Sequence, residues 1–178
     1  MKPIVLAAIA ITLTLASATA AADEHTHTGM MQPNMMKMAG PTIDVPVTIK
    51  DAHVLFRIDR VVPSRDNHLA LQQITVLSEK LRQMGANAKI VVVFNGDGGF
   101  MALNDEAYNE IKSTKDGNPY KTAIENLLAQ GVEVEECGMT MMRERWRNNQ
   151  LLPEIKVNTG ANLRVIDLVQ KGYVLINI

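Results

Sequence analysis

Short apolar runs alternate with longer amphipathic segments from about residue 47 to the end of the chain. The clearest run is 89–94, in which Lys89 is followed by Ile-Val-Val-Val-Phe. An unbroken β-branched run of this kind is typical of a strand buried on both faces of a parallel sheet. Four further runs predict strands at 53–58, 132–137, 155–157 and 173–178.

Between these runs, apolar residues recur every three or four positions, which predicts amphipathic helices. The first helix follows capping residues at 64–67 and ends at Gly85; its predicted buried stripe is Ala70, Ile74, Leu77, Leu81 and Met84. A second helix begins at Asn118-Pro119, an Asn cap followed by Pro at the first helical position, and ends at Gly131. The remaining helices are predicted at 100–112, 138–147 and 159–171.

Strands that alternate with helices imply parallel pairing and right-handed crossovers. The predicted class is therefore α/β, a three-layer open parallel sheet of about five strands. Residues 47–178 form its single domain, and no internal repeat interrupts it.

The N-terminus has the features of a cleavable signal peptide over residues 1–22. Lys2 precedes a charge-free apolar stretch at 4–15, and small residues follow at 16–22, so that cleavage after Ala20 or Ala22 fits equally well. The apolar stretch is shorter than the ~20 residues that a membrane span needs. We therefore expect an exported, periplasmic protein with no membrane segment after cleavage.

Residues 23–46 lack a hydrophobic period and are interpreted as a flexible leader. Thioethers and imidazoles are concentrated there, and soft ligands of this kind suit copper. The candidate ligands are His25, His27, Met30, Met31, Met35, Met36 and Met38. The alternative interpretation is a polar spacer whose methionines are incidental.

Composition excludes several classes of function. The formal net charge is -1, and the chain has no basic stripe, so nucleic acid is not an expected partner. Metalloprotease, hydrolase and kinase motifs are absent from the sequence. The glycine-rich segment 96–99 follows a strand and is interpreted as a tight turn, with an anion cradle as the alternative.

Cys137 is the one cysteine of the chain, so it cannot form an intramolecular disulfide. It lies at the predicted end of a strand and the start of a helix, where unpaired N–H groups favour a thiolate. Arg143, Arg145 and Arg147 would add positive potential. Glu135, on the same strand face, either raises the thiol pKa or is itself neutralised by one of the arginines. The sequence leaves open a functional thiol and a buried, inert one.

Three stretches around this residue resemble the DsrE/DsrF-like family, and in particular its exported single-domain members. They are GVEVEECGMT at 131–140, LLPEIKV at 151–157 and LVQKGY at 168–173, and the run IVVVFNG at 90–96 fits the same pattern. The resemblance covers residues 52–178, the whole predicted domain.

The resemblance implies a flavodoxin-like parallel sheet of about five strands, assembled as trimers or hexamers. It also implies that Cys137 carries sulfane sulfur as a persulfide between donor and acceptor proteins or small sulfur compounds. The function that follows is a periplasmic sulfur carrier, sulfurtransferase-like if it is an enzyme, with no required cofactor. The alternatives are a copper-binding protein that uses the leader and a non-catalytic assembly subunit.

Overall fold

Five parallel strands lie at the centre of the folded unit, residues 44–178, in a computed structural model that describes residues 40–61 and 69–178. In chain order the elements are β1 (Asp51–Ile58), α1 (Leu69–Gln83), β2 (Asn87–Phe94), a glycine-rich 3-10 helix (Gly96–Ala102), α2 (Asp105–Lys112), α3 (Lys121–Ala129), β3 (Glu133–Cys137), α4 (Gly138–Glu144), a short 3-10 helix (Asn148–Gln150), β4 (Lys156–Asn158), α5 (Ala161–Gln170) and β5 (Val174–Asn177). The class is α/β and flavodoxin-like, as the sequence predicts.

The strand order β4-β3-β2-β1-β5 determines which helix covers which face of the sheet. The chain moves in one direction from β1 to β4, so right-handed crossovers place the intervening helices on one face. The connection from β4 to β5 runs back across the sheet and places α5 on the opposite face. Two separate hydrophobic clusters match this arrangement, because α1, α3 and α4 contribute to the larger one and α5 to the smaller one.

The strand β2 lies in the middle of the sheet and contributes to both clusters. Ile90, Val92 and Phe94 belong to the larger cluster, whereas Val91 and Val93 belong to the smaller one. All five side chains are buried. The unbroken apolar run in the sequence therefore reflects burial on both faces, as predicted.

The predicted helix at 100–112 is wrong in its first part. The glycine-rich 3-10 helix extends to Ala102, and Leu103 then forms an isolated antiparallel bridge with Leu151. The helix α2 begins only at Asp105, where the side chain of Asn104 accepts a hydrogen bond from the N–H of Ala107. Because 3-10 turns have a shorter period than α-helices, the apolar spacing in this segment is irregular.

Three other helix boundaries differ from the prediction. The helix α3 begins at Lys121, and the Asn118 side chain before it accepts a hydrogen bond from the N–H of Tyr120 while it donates to the carbonyls of Met101 and Leu103. The helix α4 ends at Glu144, since Arg145 adopts a left-handed conformation with φ of 60°. In α1, Met84 is exposed beyond the helix end and Leu71 is buried instead. The predicted capping residues 64–67 lie outside the described residues.

Within residues 40–61 and 69–178, no helix is long and apolar enough to cross a membrane. The predicted signal peptide at 1–22 lies outside the described residues, as does the leader up to residue 39.

Candidate functional site

The topology creates a crevice between the carboxyl ends of β3 and β4. These neighbouring strands lead into helices on opposite faces of the sheet, since α4 follows β3 and α5 follows β4. Open α/β sheets bind ligands at such a switch point, where the chain leaves adjacent strands in opposite directions. Cys137 is the last residue of β3, and it pairs in register with Asn158, the last residue of β4.

Hydrogen-bond donors from two helices converge on the sulfur of Cys137. The N–H of Ala161, at the start of α5, donates to Sγ at 3.2 Å. Burial raises the pKa of the thiol, but the N–H groups of Thr140, Ala161 and Met139 and the hydroxyl of Thr140 outweigh it. The net effect is a pKa of Cys137 below its ordinary value, because the donors stabilise the thiolate.

Thr140 connects this sulfur to the glycine-rich 3-10 helix. Its hydroxyl donates toward Cys137, while its Oγ1 accepts a hydrogen bond of 3.0 Å from the N–H of Gly96. The side chain is buried, so both interactions are shielded from water. Thr140 therefore fixes the first turn of α4 and orients a side-chain donor at the thiolate.

Gly138 allows β4 to approach the first turn of α4. A Cβ at this position would lie 2.7 Å from the backbone carbonyl oxygen of Asn158 and 3.5 Å from Cγ1 of Val157. Because the nearest obstacle is backbone, a larger residue would push β4 away from β3. The close approach brings Ala161, three residues beyond β4, within reach of Cys137.

Glu135 shares the strand face of Cys137, as predicted, and its side chain is only 3% exposed. Arg164 on α5 binds it through two nitrogens, with Nη2 2.6 Å from Oε1 and Nε 3.0 Å from Oε2. Asn158 donates a further hydrogen bond of 3.0 Å. Glu135 is not among the groups that shift the pKa of Cys137. Glu135 is therefore paired with a cation, Arg164, which also binds Glu133 and Asp167 and which the sequence does not connect with the site.

Glu136 points to the opposite face and is fully buried in the larger hydrophobic layer. Neither carboxyl oxygen has a hydrogen-bond partner among the described residues. Burial raises its pKa to about 9; the charge on Cys137 adds to this effect and the nearby N–H of Cys137 partly offsets it. A Cβ at Gly99 would lie 2.7 Å from Oε1, so the glycine-rich helix leaves room for this carboxyl.

The segment 96–99 forms the first part of the glycine-rich 3-10 helix, and its interpretation as an anion cradle stays a prediction. Gly98 is buried, and a Cβ there would collide with the carbonyl oxygen of Ile58. Its glycines permit close contact with β1 and with Glu136.

Of the three arginines predicted to add positive potential, the structure brings Arg143 close enough to interact with the charge on Cys137. Arg143, Arg145 and Arg147 are exposed, and Arg143 forms an ion pair with Glu144 at 2.7 Å. Met141 is buried in the larger hydrophobic cluster, whereas Met139 and Met142 are exposed.

The candidate copper ligands all lie outside the described residues. They are His25, His27, Met30, Met31, Met35, Met36 and Met38. Across the part of the chain that is described, no group of three or more His, Cys, Asp or Glu residues is arranged to hold a metal ion.

The site contains a buried thiol that accepts hydrogen bonds from four donors at the carboxyl end of a parallel strand. The carboxyl groups of Glu135 and Glu136 precede it in the same strand, the first paired with Arg164 and the second buried. A family model described as the DsrE/DsrF-like family matches residues 54–178. The chain belongs to this family. Membership of the DsrE/DsrF-like family suggests a sulfur-relay-like function.

Two solved structures share the fold. The protein of unknown function MTH1491 from Methanobacterium thermoautotrophicum is 20% identical with a TM-score of 0.58, and the match covers 72% of this chain and 100% of that one. The ychN protein from E. coli is 12% identical with a TM-score of 0.50, covering 71% of this chain and 99% of that one. No curated protein matches the chain. These comparisons establish the DsrE-like fold.

Proposed function

We propose that this protein is an exported, periplasmic sulfur carrier that holds sulfane sulfur as a persulfide on Cys137. The observation that carries the proposal is the set of donors aimed at Sγ from α4 and α5, which lowers the pKa of the thiol despite its burial. Thiolates, not thiols, attack sulfur. Membership of the DsrE/DsrF-like family adds support from an independent source.

The chemistry needs no external oxidant. The Cys137 thiolate attacks the outer sulfur of a donor persulfide, the donor S–S bond breaks, and its electron pair leaves with the donor thiolate. An acceptor thiolate then attacks the outer sulfur on Cys137, and Cys137 departs as a thiolate. The same donors that keep the resting group a thiolate also stabilise Cys137 as the leaving group of the second step.

Access to the sulfur requires movement, because Cys137 is only 4% exposed. The first residues of α4 and α5 contact each other beside it, since a Cβ at Gly160 would lie 3.2 Å from Cγ of Met139. Separation of these two helix starts would expose Sγ to a donor or acceptor.

Exposed apolar side chains near the same sheet edge support docking of other molecules and assembly of the chain with itself. They are Met139, Met142, Val157, Leu163 and Ile166. We propose a homo-oligomer, a trimer or hexamer, and light scattering of the mature protein tests it. A monomer at micromolar concentration would contradict this part of the proposal.

The carrier chemistry is tested by the intact mass of the mature protein after exposure to polysulfide. We expect a species heavier by one or more sulfur atoms that is lost on reduction. The matched control is Cys137→Ser, which changes one atom and should fold normally but gain no mass. Sulfur loading of this variant, or an unchanged mass in wild-type protein whose thiol reacts with a small alkylating reagent, would refute the carrier.

An alternative outcome favours the assembly subunit. If Cys137 reacts with a thiol reagent only after unfolding and gains no sulfur when native, the thiol is inert and the proposal is wrong.

A further inference from the structure

Glu136 is the one buried ionisable group beside Cys137 for which the carrier mechanism gives no role. It is 0% exposed, and neither oxygen has a hydrogen-bond partner of good geometry among the described residues, although the nearby N–H of Cys137 offsets the cost of burial in part. An isolated carboxylate in such surroundings loses its hydration without compensation, and proteins avoid that state by keeping the group protonated. The site therefore contains a neutral carboxylic acid directly behind its nucleophile.

Among the described residues, none supplies a cation to the surroundings of Glu136 that would change this conclusion. In β2 its register neighbour is Phe94, and the glycine-rich 3-10 helix places Gly99 against its carboxyl. The charged residues of the adjoining elements all reach solvent: Asp97 on the 3-10 helix, Arg143 and Glu144 on α4, and Lys121 and Glu125 on α3. Cys137 is the one charge that acts on Glu136, and it favours the protonated form.

The charge relation between the two residues is reciprocal. A thiolate at Cys137 favours a neutral Glu136, and a neutral Glu136 adds no negative charge behind the thiolate on the far face of β3. An ionised carboxylate at this position would work against the donors from Thr140 and Ala161. The close approach of Gly99 is then a requirement of the site, because this glycine makes room for the carboxyl inside the hydrophobic layer.

We propose that Glu136 is kept as a neutral acid on the far face of β3, and that its proton is coupled to the negative charge on the Cys137 thiolate or persulfide. The proposal rests on the carrier function for its biological role, but the coupling itself is a property of the unloaded protein. The expected signature is a carboxylic acid whose pKa lies far above the ordinary range and depends on whether the Cys137 sulfur is charged.

Infrared spectroscopy of the full mature protein tests this directly. A protonated carboxyl has a C=O stretching band that a carboxylate lacks, and the difference spectrum between wild type and Glu136→Gln isolates it. We expect the band at pH 7 and its loss in wild type near pH 9, the value to which burial raises the pKa of Glu136. In Cys137→Ser the loss should occur at lower pH, because the thiolate charge is absent.

The pH dependence of thiolate ultraviolet absorbance gives the second readout. Because Gln is also neutral, Glu136→Gln should leave the pKa of Cys137 unchanged. A clear fall in the thiol pKa in this variant would show that Glu136 is ionised in the native protein and overturn the proposal. No band at pH 7, or a band that titrates identically in Cys137→Ser, would overturn it too. If the coupling is found but polysulfide adds no mass, the carrier function fails and the coupling stands.

Discussion

The hydroxyl of Thr140 provides the sharpest test of how the thiolate is stabilised. It is the one side-chain donor among the four groups that lower the pKa of Cys137. Thr140→Val removes it while retaining the shape of a β-branched residue. Backbone donors cannot be deleted in this way, so Thr140 is the position at which a single donor can be subtracted.

The expected magnitude follows from the energy of one hydrogen bond to a charged group. Such a bond contributes about 1.5–3 kcal/mol, and each pKa unit corresponds to about 1.4 kcal/mol. The valine variant should therefore raise the pKa of Cys137 by about one to two units. Water cannot easily replace the donor, since Thr140 and Cys137 are each 4% exposed. Stability should fall by about 1 kcal/mol because the N–H of Gly96 loses its acceptor.

Thiolate absorbance as a function of pH measures the change, with Cys137→Ser subtracted to remove tyrosine ionisation. Thr140→Ser keeps the hydroxyl and should retain the wild-type pKa. Thr75→Val on α1, where the hydroxyl donates to the carbonyl of Leu71, controls for the substitution in general. Equal thiol pKa values in the valine and serine variants, with both proteins folded, would refute the role assigned to this hydroxyl.

Three further predictions concern the elements around the sulfur and the leader. Gly138→Ala should lower the free energy of unfolding in urea by about 1–3 kcal/mol, because a Cβ 2.7 Å from the Asn158 carbonyl oxygen displaces β4. Gly160→Ala is the matched control and should lower it less, because its Cβ meets only the movable Met139 side chain, at 3.2 Å. Arg164→Met should destabilise by about 3 kcal/mol, because Glu135 is then buried without its cation, and Glu135→Gln in that background should recover part of the loss. For the leader, we propose copper binding by the His/Met cluster, so deletion of residues 23–40 should abolish Cu(I) affinity in competition titrations and spare sulfur loading; equal affinity in both proteins would contradict it.

The sequence predicts the fold well because its strongest signals are local. The run ending at Phe94 predicts a central strand from burial alone, and Gly85 and Gly131 mark helix ends at which the structure has φ of 69° and 82°. The order of the strands in the sheet is not predicted by such local signals. It depends on which strands pair, and nothing local in the five apolar runs encodes that β5 lies beside β1.

The site is predicted only in part for the same reason. Cys137 is identified from its place at a strand end, and Thr140 is missed although it lies only three residues further along. Ala161 and Arg164 reach the site through the β3–β4 pairing and the crossing of α5 to the other face. The one signal for Arg164 in the sequence is the prediction that Glu135 shares the strand face of Cys137, because a carboxylate buried there requires a cation from elsewhere in the fold.

Two glutamates immediately before a reactive cysteine would be expected to suppress its thiolate, since each adds a nearby negative charge. Strand alternation places the two carboxyl groups in different surroundings, because Glu135 and Glu136 point to opposite faces of β3. On the face of the sulfur, Arg164 neutralises Glu135 with a two-point ion pair. On the other face no cation comes from the part of the chain that the structure describes, and burial raises the pKa of Glu136 to about 9, so that it is neutral at physiological pH. With both carboxyl charges removed by different means, the hydrogen-bond donors of α4 and α5 determine the charge state of Cys137.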